Sequence, residues 1–212
     1  MLLRESDSGF ETFLMRRSET MKFAPRMYVF PGGRLDDADV AADEAIGIAP
    51  ELRGFVSCGI REVREETGVD LAHDPSTMVL TDHWVTPEIE FARFDVRFFV
   101  ARMPDDQIAL SLSSETDHVA WLSPNEALIE HDAGNLPLLR PTHAMLVWLA
   151  EHESLAAVFE AARVRVIKPK LPKSRTNPDG SVVWALVDAQ TGEILEDNIR
   201  APKLSEVTGK PQ

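Results

Sequence analysis

Tyr28-Val29-Phe30-Pro31-Gly32-Gly33-Arg34-Leu35-Asp36-Asp37-Ala38-Asp39 opens the stretch that decides the fold, and Ile60-Arg61-Glu62-Val63-Arg64-Glu65-Glu66-Thr67-Gly68-Val69 closes it. An apolar run that reaches Pro-Gly-Gly reads as a strand ending in a tight loop, and Gly68 reads as the stop of a helix. At about 100° per residue, Glu62, Glu65 and Glu66 share one helix face, while Val56, Ile60 and Val63 form a stripe opposite. Three carboxylates on one face repel one another unless a cation joins them, and hard oxygen donors suit Mg²⁺ or Mn²⁺. The helix alone fits a solvated acidic face of an amphipathic helix equally well.

The loop and helix together resemble the box of the Nudix hydrolases: Gly, five residues, Glu, seven residues, then Arg-Glu-aliphatic-any-Glu-Glu-any-Gly-aliphatic. Arg61, Glu62, Val63, Glu65, Glu66, Gly68 and Val69 match its second half, and Gly33 matches its start. Asp39 stands where the family has Glu, and 21 residues separate Asp39 from Arg61 where the box allows seven. The resemblance therefore requires an insertion of 14 within Val40–Gly54, whose small, acidic composition and Pro50 read as a loop or short extra helix.

Composition sets outer bounds. The 212 residues, 44% hydrophobic, suffice for one domain with additions. No apolar run approaches a membrane span, and the N-terminus carries no signal-peptide pattern, so a cytoplasmic location without a membrane partner is the expectation. Cys58 is the single cysteine, which rules out an intrachain disulfide; packing is its expected role, with a reactive thiol as the alternative. A net charge of −13 argues against nucleic acid as a partner.

Along the chain, Met1–Arg4, the turn Asp7-Ser8-Gly9 and the strand Phe10–Arg17 suggest a hairpin. Its first strand is short for a Nudix domain, so a start upstream of Met1 is expected. Leu14, Arg17, Ser18 and Phe30–Gly33 resemble the additional signature of the coenzyme A diphosphatase branch. Phe13, Met15, Lys22 and Arg26 depart from that signature. For Arg17, Lys22 and Arg26 two readings stand, phosphate contact and ordinary surface charge.

Strands are expected at Met78–Val85 and Phe91–Ala101. The run Trp84–Pro87 with Arg93–Phe99 resembles the peroxisomal acyl-coenzyme A diphosphatases and their bacterial relatives, which also carry an expanded box. Arg93 and Arg97 either reach substrate from the sheet or pair with Asp95 and neighbouring acids. Ser111–His118 reads as a polar loop before the strand Val119–Leu122. In the family, a loop glutamate that binds metal or takes a proton from water often stands where Glu115 is; the alternative is a solvated acid.

Ser123, Pro124 and Glu126 form a helix start with a capping box. Thr142–Ala162 reads as one helix, on which His143 and His152 match no metal spacing. Lys168–Lys173 marks a shift in composition, followed by a turn at Asn177–Gly180, a strand Val182–Val187 and a last short strand. The expected organisation is a Nudix domain over 1–163 and a C-terminal β appendage and tail over 164–212.

The resemblance implies an α/β/α sandwich with a mixed sheet. It also implies Mg²⁺ or Mn²⁺ held by Glu62, Glu65 and Glu66, with Glu65, Arg61 and Glu115 as the catalytic set. Arg17, Lys22, Arg26, Gly32, Gly33, Arg93 and Arg97 would bind substrate. The activity implied is hydrolysis of a nucleoside diphosphate derivative, coenzyme A or acyl-coenzyme A first, then ADP-ribose, dinucleotides or nucleotide sugars. A catalytically silent nucleotide-binding domain is the alternative outside enzymology, and homodimers are common in the family. A third reading, a purely structural acidic helix, makes the glycine loop a coincidence.

Overall fold

The computed structural model describes residues 1–41, 48–72, 77–87 and 93–199 of this chain. The expected hairpin is present: β1 (Leu2–Ser6) turns at Asp7-Ser8 into β2 (Gly9–Arg17), with Leu3 opposite Thr12. Further strands are β3 (Tyr28–Val29), β4 (Val79–Val85), β5 (Asp95–Arg102) and β6 (Thr116–Leu122). Thr12 and Met15 of β2 each pair on two sides. Leu122 and Val119 of β6 therefore lie along one edge, and β1 and β3 divide the other. β5 joins β1 in parallel and β4 antiparallel, so the sheet is mixed.

Alternation along the strands gives the sheet two apolar faces. Leu2, Phe13, Met15, Phe99 and Ala101 pack toward Val56 and Val63 of α2 (Arg53–Thr67). Leu3, Leu14 and Val100 face the opposite side, with Ala127 of α3 (Pro124–Asp132), Leu146 and Leu149 of α4 (Arg140–Ala150), and Val158 of α5 (Leu155–Val164). The result is the α/β/α sandwich the motifs imply.

Several boundaries differ from the sequence reading. Thr142–Ala162 is not one helix: the chain breaks after Ala150, and Ser154 caps α5 by accepting from the Ala157 amide. The Ser111–His118 loop ends early because Thr116 and His118 pair with Arg17 and Arg16 of β2. The Lys-Pro stretch, read as a shift in composition, forms β7 (Pro169–Thr176), which pairs with β4 at Pro169 and Lys170. β8 (Val182–Asp188) and β9 (Ile194–Ile199) follow, so the C-terminal strands continue the same sheet.

A buried carboxylate ties that junction together. Asp82 on β4 accepts from Lys170 Nζ at 2.5 Å and Trp84 Nε1 at 3.2 Å, with Arg165 at 3.7 Å. Residues 91–92, which open the expected strand Phe91–Ala101, lie outside the described residues, as does the expected tail after Arg200. Among the described residues no helix is long and apolar enough to cross a membrane.

Candidate active site

α2 ends where Gly68 adopts φ 77°, a left-handed cap that a side chain resists, and its amide returns to the Arg64 carbonyl. The last two turns of the helix thus carry Arg61, Glu62, Glu65 and Glu66. The Pro31–Val40 segment runs back along this helix. The end of α1 (Asp37–Ala41) and the 3-10 turn Pro50–Leu52 lie in the expected insertion, whose residues 42–47 lie outside the described residues.

Gly33 sits against Glu62: a Cβ built there would come 2.2 Å from its carboxylate. Gly32 donates its amide to Glu66 Oε2 at 2.9 Å. The two glycines therefore bring bare backbone to two of the three acids. Gly33→Ala is expected to keep the melting temperature, since the clash falls on the end of a flexible side chain. It is expected to weaken Mn²⁺ binding about tenfold or more by expelling the Glu62 carboxylate. A metal titration with unchanged affinity would remove Gly33 from the site.

Glu62, Glu65, Glu66 and Glu115 line one open pocket of about 380 Å³ together with Leu112, Ser113 and Ser114. The glutamate of the β6 approach thus meets the helix acids, held there because the Ser18 amide binds the Glu115 carbonyl at 2.7 Å. Burial pushes the Glu66 carboxyl up to about 7, as do the charges of Glu62 and Glu115, against the Gly32 amide and Arg17. Four acids without a basic residue in the lining make a strongly anionic pocket.

Arg61 is the hub beside it. Its Nε and Nη2 grip both oxygens of buried Asp39 at 3.0 and 2.9 Å, Nη2 reaches the Arg34 carbonyl, and Nη1 holds Glu62 at 2.8 Å and Glu65 at 3.3 Å. These bonds hold the guanidinium well above the usual arginine range, the Asp39 bond first. Asp39, expected at the first acidic position of the box, points to Arg61 and does not line the acid pocket. Cys58 is buried beneath, its thiol pushed up to about 12 by burial and then by Asp39, which suits the packing role.

The expected substrate cations are dispersed. Arg17 Nε donates to the Phe23 carbonyl at 3.0 Å, and its charge is felt at Glu66. Lys22 is exposed, and Arg26, at φ 64°, pairs with Glu19. Arg97 pairs with Asp95 at 2.6 Å and lies over the Phe55 ring, the alternative that the sequence left open; Arg93 is exposed.

Whether the acids fit a divalent ion turns on donors and freedom. All are hard oxygens, and Glu65, 57% exposed, has among the described residues a single 3.3 Å ion pair to relinquish. Among the described residues no three such groups already converge as a finished coordination shell. The donor set fits; the arrangement has Glu62 and Glu65 turned to Arg61.

This fold has a solved counterpart. A Nudix hydrolase from Alicyclobacillus acidocaldarius superposes with a TM-score of 0.67 at 22% identity, over 75% of this chain and 92% of that one. The fold is the Nudix fold. The sequence is also similar to the "Putative nudix hydrolase 7" of Caenorhabditis elegans, 26% identical over 162 residues, which cover 60% of this chain and 52% of the relative. The chain thus spans about half the length of that curated relative. An Ap4A hydrolase complex from Caenorhabditis elegans matches at a TM-score of 0.46 and 16% identity, over 71% of this chain and 94% of that one. No family model matches the chain. Within this Nudix fold, sequence reasoning missed the pocket-lining Leu112, Ser113 and Ser114 and the anchoring role of Asp39; the alternation Ile108, Leu110, Leu112 was the available signal for the first.

Proposed function

We propose that this chain is a divalent-metal-dependent Nudix hydrolase that cleaves the diphosphate of a nucleoside diphosphate derivative, coenzyme A or acyl-coenzyme A first among them. The observation that carries the reading is the pocket shared by Glu62, Glu65, Glu66 and Glu115 beside Gly32 and Gly33. An anionic pocket receives an anionic diphosphate only with cations present.

Glu62, Glu65 and Glu66 are the residues that would hold Mg²⁺ or Mn²⁺. Bound there, the ion neutralises phosphate charge and acidifies water. Arg61 keeps the carboxylates of Glu62 and Glu65 oriented, being fixed itself by Asp39. Glu115 and Glu65 are the two candidates for accepting the proton of the attacking water. Gly32 and Gly33 leave room for phosphate oxygens near the backbone, and Arg17 adds positive charge at the Glu66 side. Lys22, Arg26, Arg93 and Arg97 are proposed as secondary contacts only, and a cytoplasmic homodimer is consistent with this reading.

A panel of coenzyme A, its 3′-dephospho form and ADP-ribose, each with and without Mg²⁺ or Mn²⁺, tests the proposal. Coenzyme A is expected to be cleaved fastest, to adenosine 3′,5′-bisphosphate and phosphopantetheine, with activity abolished by chelation. Faster turnover of ADP-ribose than of both others would replace the coenzyme A reading. The engagement of Glu62 and Glu65 by Arg61 also fits a silent nucleotide-binding domain, for which nucleotide raises the melting temperature without product.

A further inference from the structure

Three aliphatic side chains in a row lie open to solvent next to the acid pocket. Ile108, Leu110 and Leu112 are 78%, 52% and 56% exposed. They fall at alternate positions of the segment before β6; Ala109 between the first two packs on the core under α2, and Ser111 between the last two is exposed. The segment is not a loose loop. The amides of Leu110 and Leu112 bind the Thr67 and Glu66 carbonyls, both at 2.9 Å, satisfying acceptors that the end of α2 leaves open. Gln107 bonds to both the amide and the carbonyl of Asp70. The backbone is therefore pinned to the helix that carries the acids.

The strip and the pocket are continuous, because Leu112 lines the pocket with Glu66 and Glu115. From Leu112 to Ile108 an extended chain covers about 13 Å. Resting on the reading of the pocket as a diphosphate site, we propose that Ile108, Leu110 and Leu112 are a specificity strip for an extended, largely apolar arm on the substrate. That arm is the acyl-amide type, attached to the diphosphate on the side away from the nucleoside. A short polar sugar in the same place would cover none of these side chains.

Other occupants fit less well. Three partly exposed aliphatic side chains fall short of the roughly 800 Å² per partner that a stable dimer buries. An anionic lipid surface is disfavoured by a chain of net charge −13 with exposed Asp105 and Asp106 leading into the strip.

The test is the double variant Ile108→Ser with Leu110→Ser, which leaves the pocket-lining Leu112 in place and removes no buried side chain. Calorimetric titration in Mn²⁺ with decanoyl phosphopantetheine, which needs no turnover, is expected to show binding to the unsubstituted protein and at least about tenfold weaker binding to the variant. Equal affinities, or no binding to the unsubstituted protein, would overturn the strip. With metal, kcat/KM for coenzyme A is expected to fall while that for ADP-ribose stays; equal loss on both would also overturn it. An unsubstituted protein that cleaves neither diphosphate refutes the hydrolase, and the calorimetric result then decides the strip by itself. A dimer that the variant turns into a monomer would assign the strip to a second copy and end the proposal.

Discussion

Glu65→Gln is expected to lower turnover of the preferred diphosphate at least about a hundredfold while the protein remains folded. Glutamine keeps the shape of the side chain and removes its charge, so the substitution isolates the carboxylate from its packing. The fold is insensitive because Glu65 is 57% exposed and meets Arg61 only at 3.3 Å. An exposed pair of this kind contributes about 0–1 kcal/mol. The rate is sensitive because a group that holds a cation, or takes a proton from water, acts in the transition state. Losses of about 10²–10⁴ are the usual scale for such groups. The measurement is a steady-state assay in Mn²⁺ beside a thermal melt. An undiminished rate with an unaltered melt would move the catalytic centre away from α2. A parallel assay of Glu115→Gln distinguishes the two candidate bases, since only the group that accepts the proton should show a changed pH profile with metal affinity intact.

Local chemistry was legible wherever short-range rules decide structure. The stop at Gly68 and the reciprocal bonds of Ser123 and Glu126 were readable because each is completed within one turn of chain. The β1–β2 hairpin likewise follows from adjacent residues. What escaped depended on distant partners. β7 carries Pro169 and Pro172 among lysines, a composition that reads as linker; it becomes a strand because Lys170 finds Asp82 and because β8 pairs along its whole length. β4 accompanies it only at Pro169 and Lys170, which leaves Pro172 without a second paired neighbour among the described residues. The break between α4 and α5 was signalled by Ser154 as a cap, but the apolar periodicity on either side masked it.

Within the candidate site the grouping of the acids was legible and their wiring was not, and the expected cations do not converge on them. That Glu62, Glu65 and Glu66 share a face follows from helix geometry, and Glu115 joins them in the pocket. That Arg61 grips Glu62 and Glu65, and that Asp39 lies buried beneath Arg61, depends on how the insertion brings α1 back to α2. Spacing could not supply that, because 21 residues intervene.

Arg61→Met is expected to destabilise the fold by about 3–5 kcal/mol, the scale for stripping one partner from a buried ion pair. Asp39 is 4% exposed, and the guanidinium contacts both of its oxygens; the Asp36 amide at 3.0 Å and the Cys58 thiol are its other donors among the described residues. Methionine fills similar volume and leaves that carboxylate buried and unpaired. Adding Asp39→Ala to Arg61→Met should restore at least about half of the loss, because the stranded charge goes with it. The pH dependence carries an opposite sign in the two backgrounds. With Arg61 present, its bond is the largest influence on Asp39 and holds the carboxyl below its ordinary value against burial. The pair's contribution is therefore present above the ordinary carboxylate range and is lost as pH falls through the lowered folded value. In Arg61→Met burial becomes the largest influence, opposed only by the Asp36 amide and the Cys58 thiol, so the folded pKa rises and protonation relieves the variant as pH falls. Denaturant unfolding at pH 7 and near pH 4.5 should thus show the gap between the two proteins narrowing toward acid. A gap that is constant with pH, or under about 1 kcal/mol at pH 7, would mean that Asp39 is solvated and that Arg61 is held in place by something other than this pair.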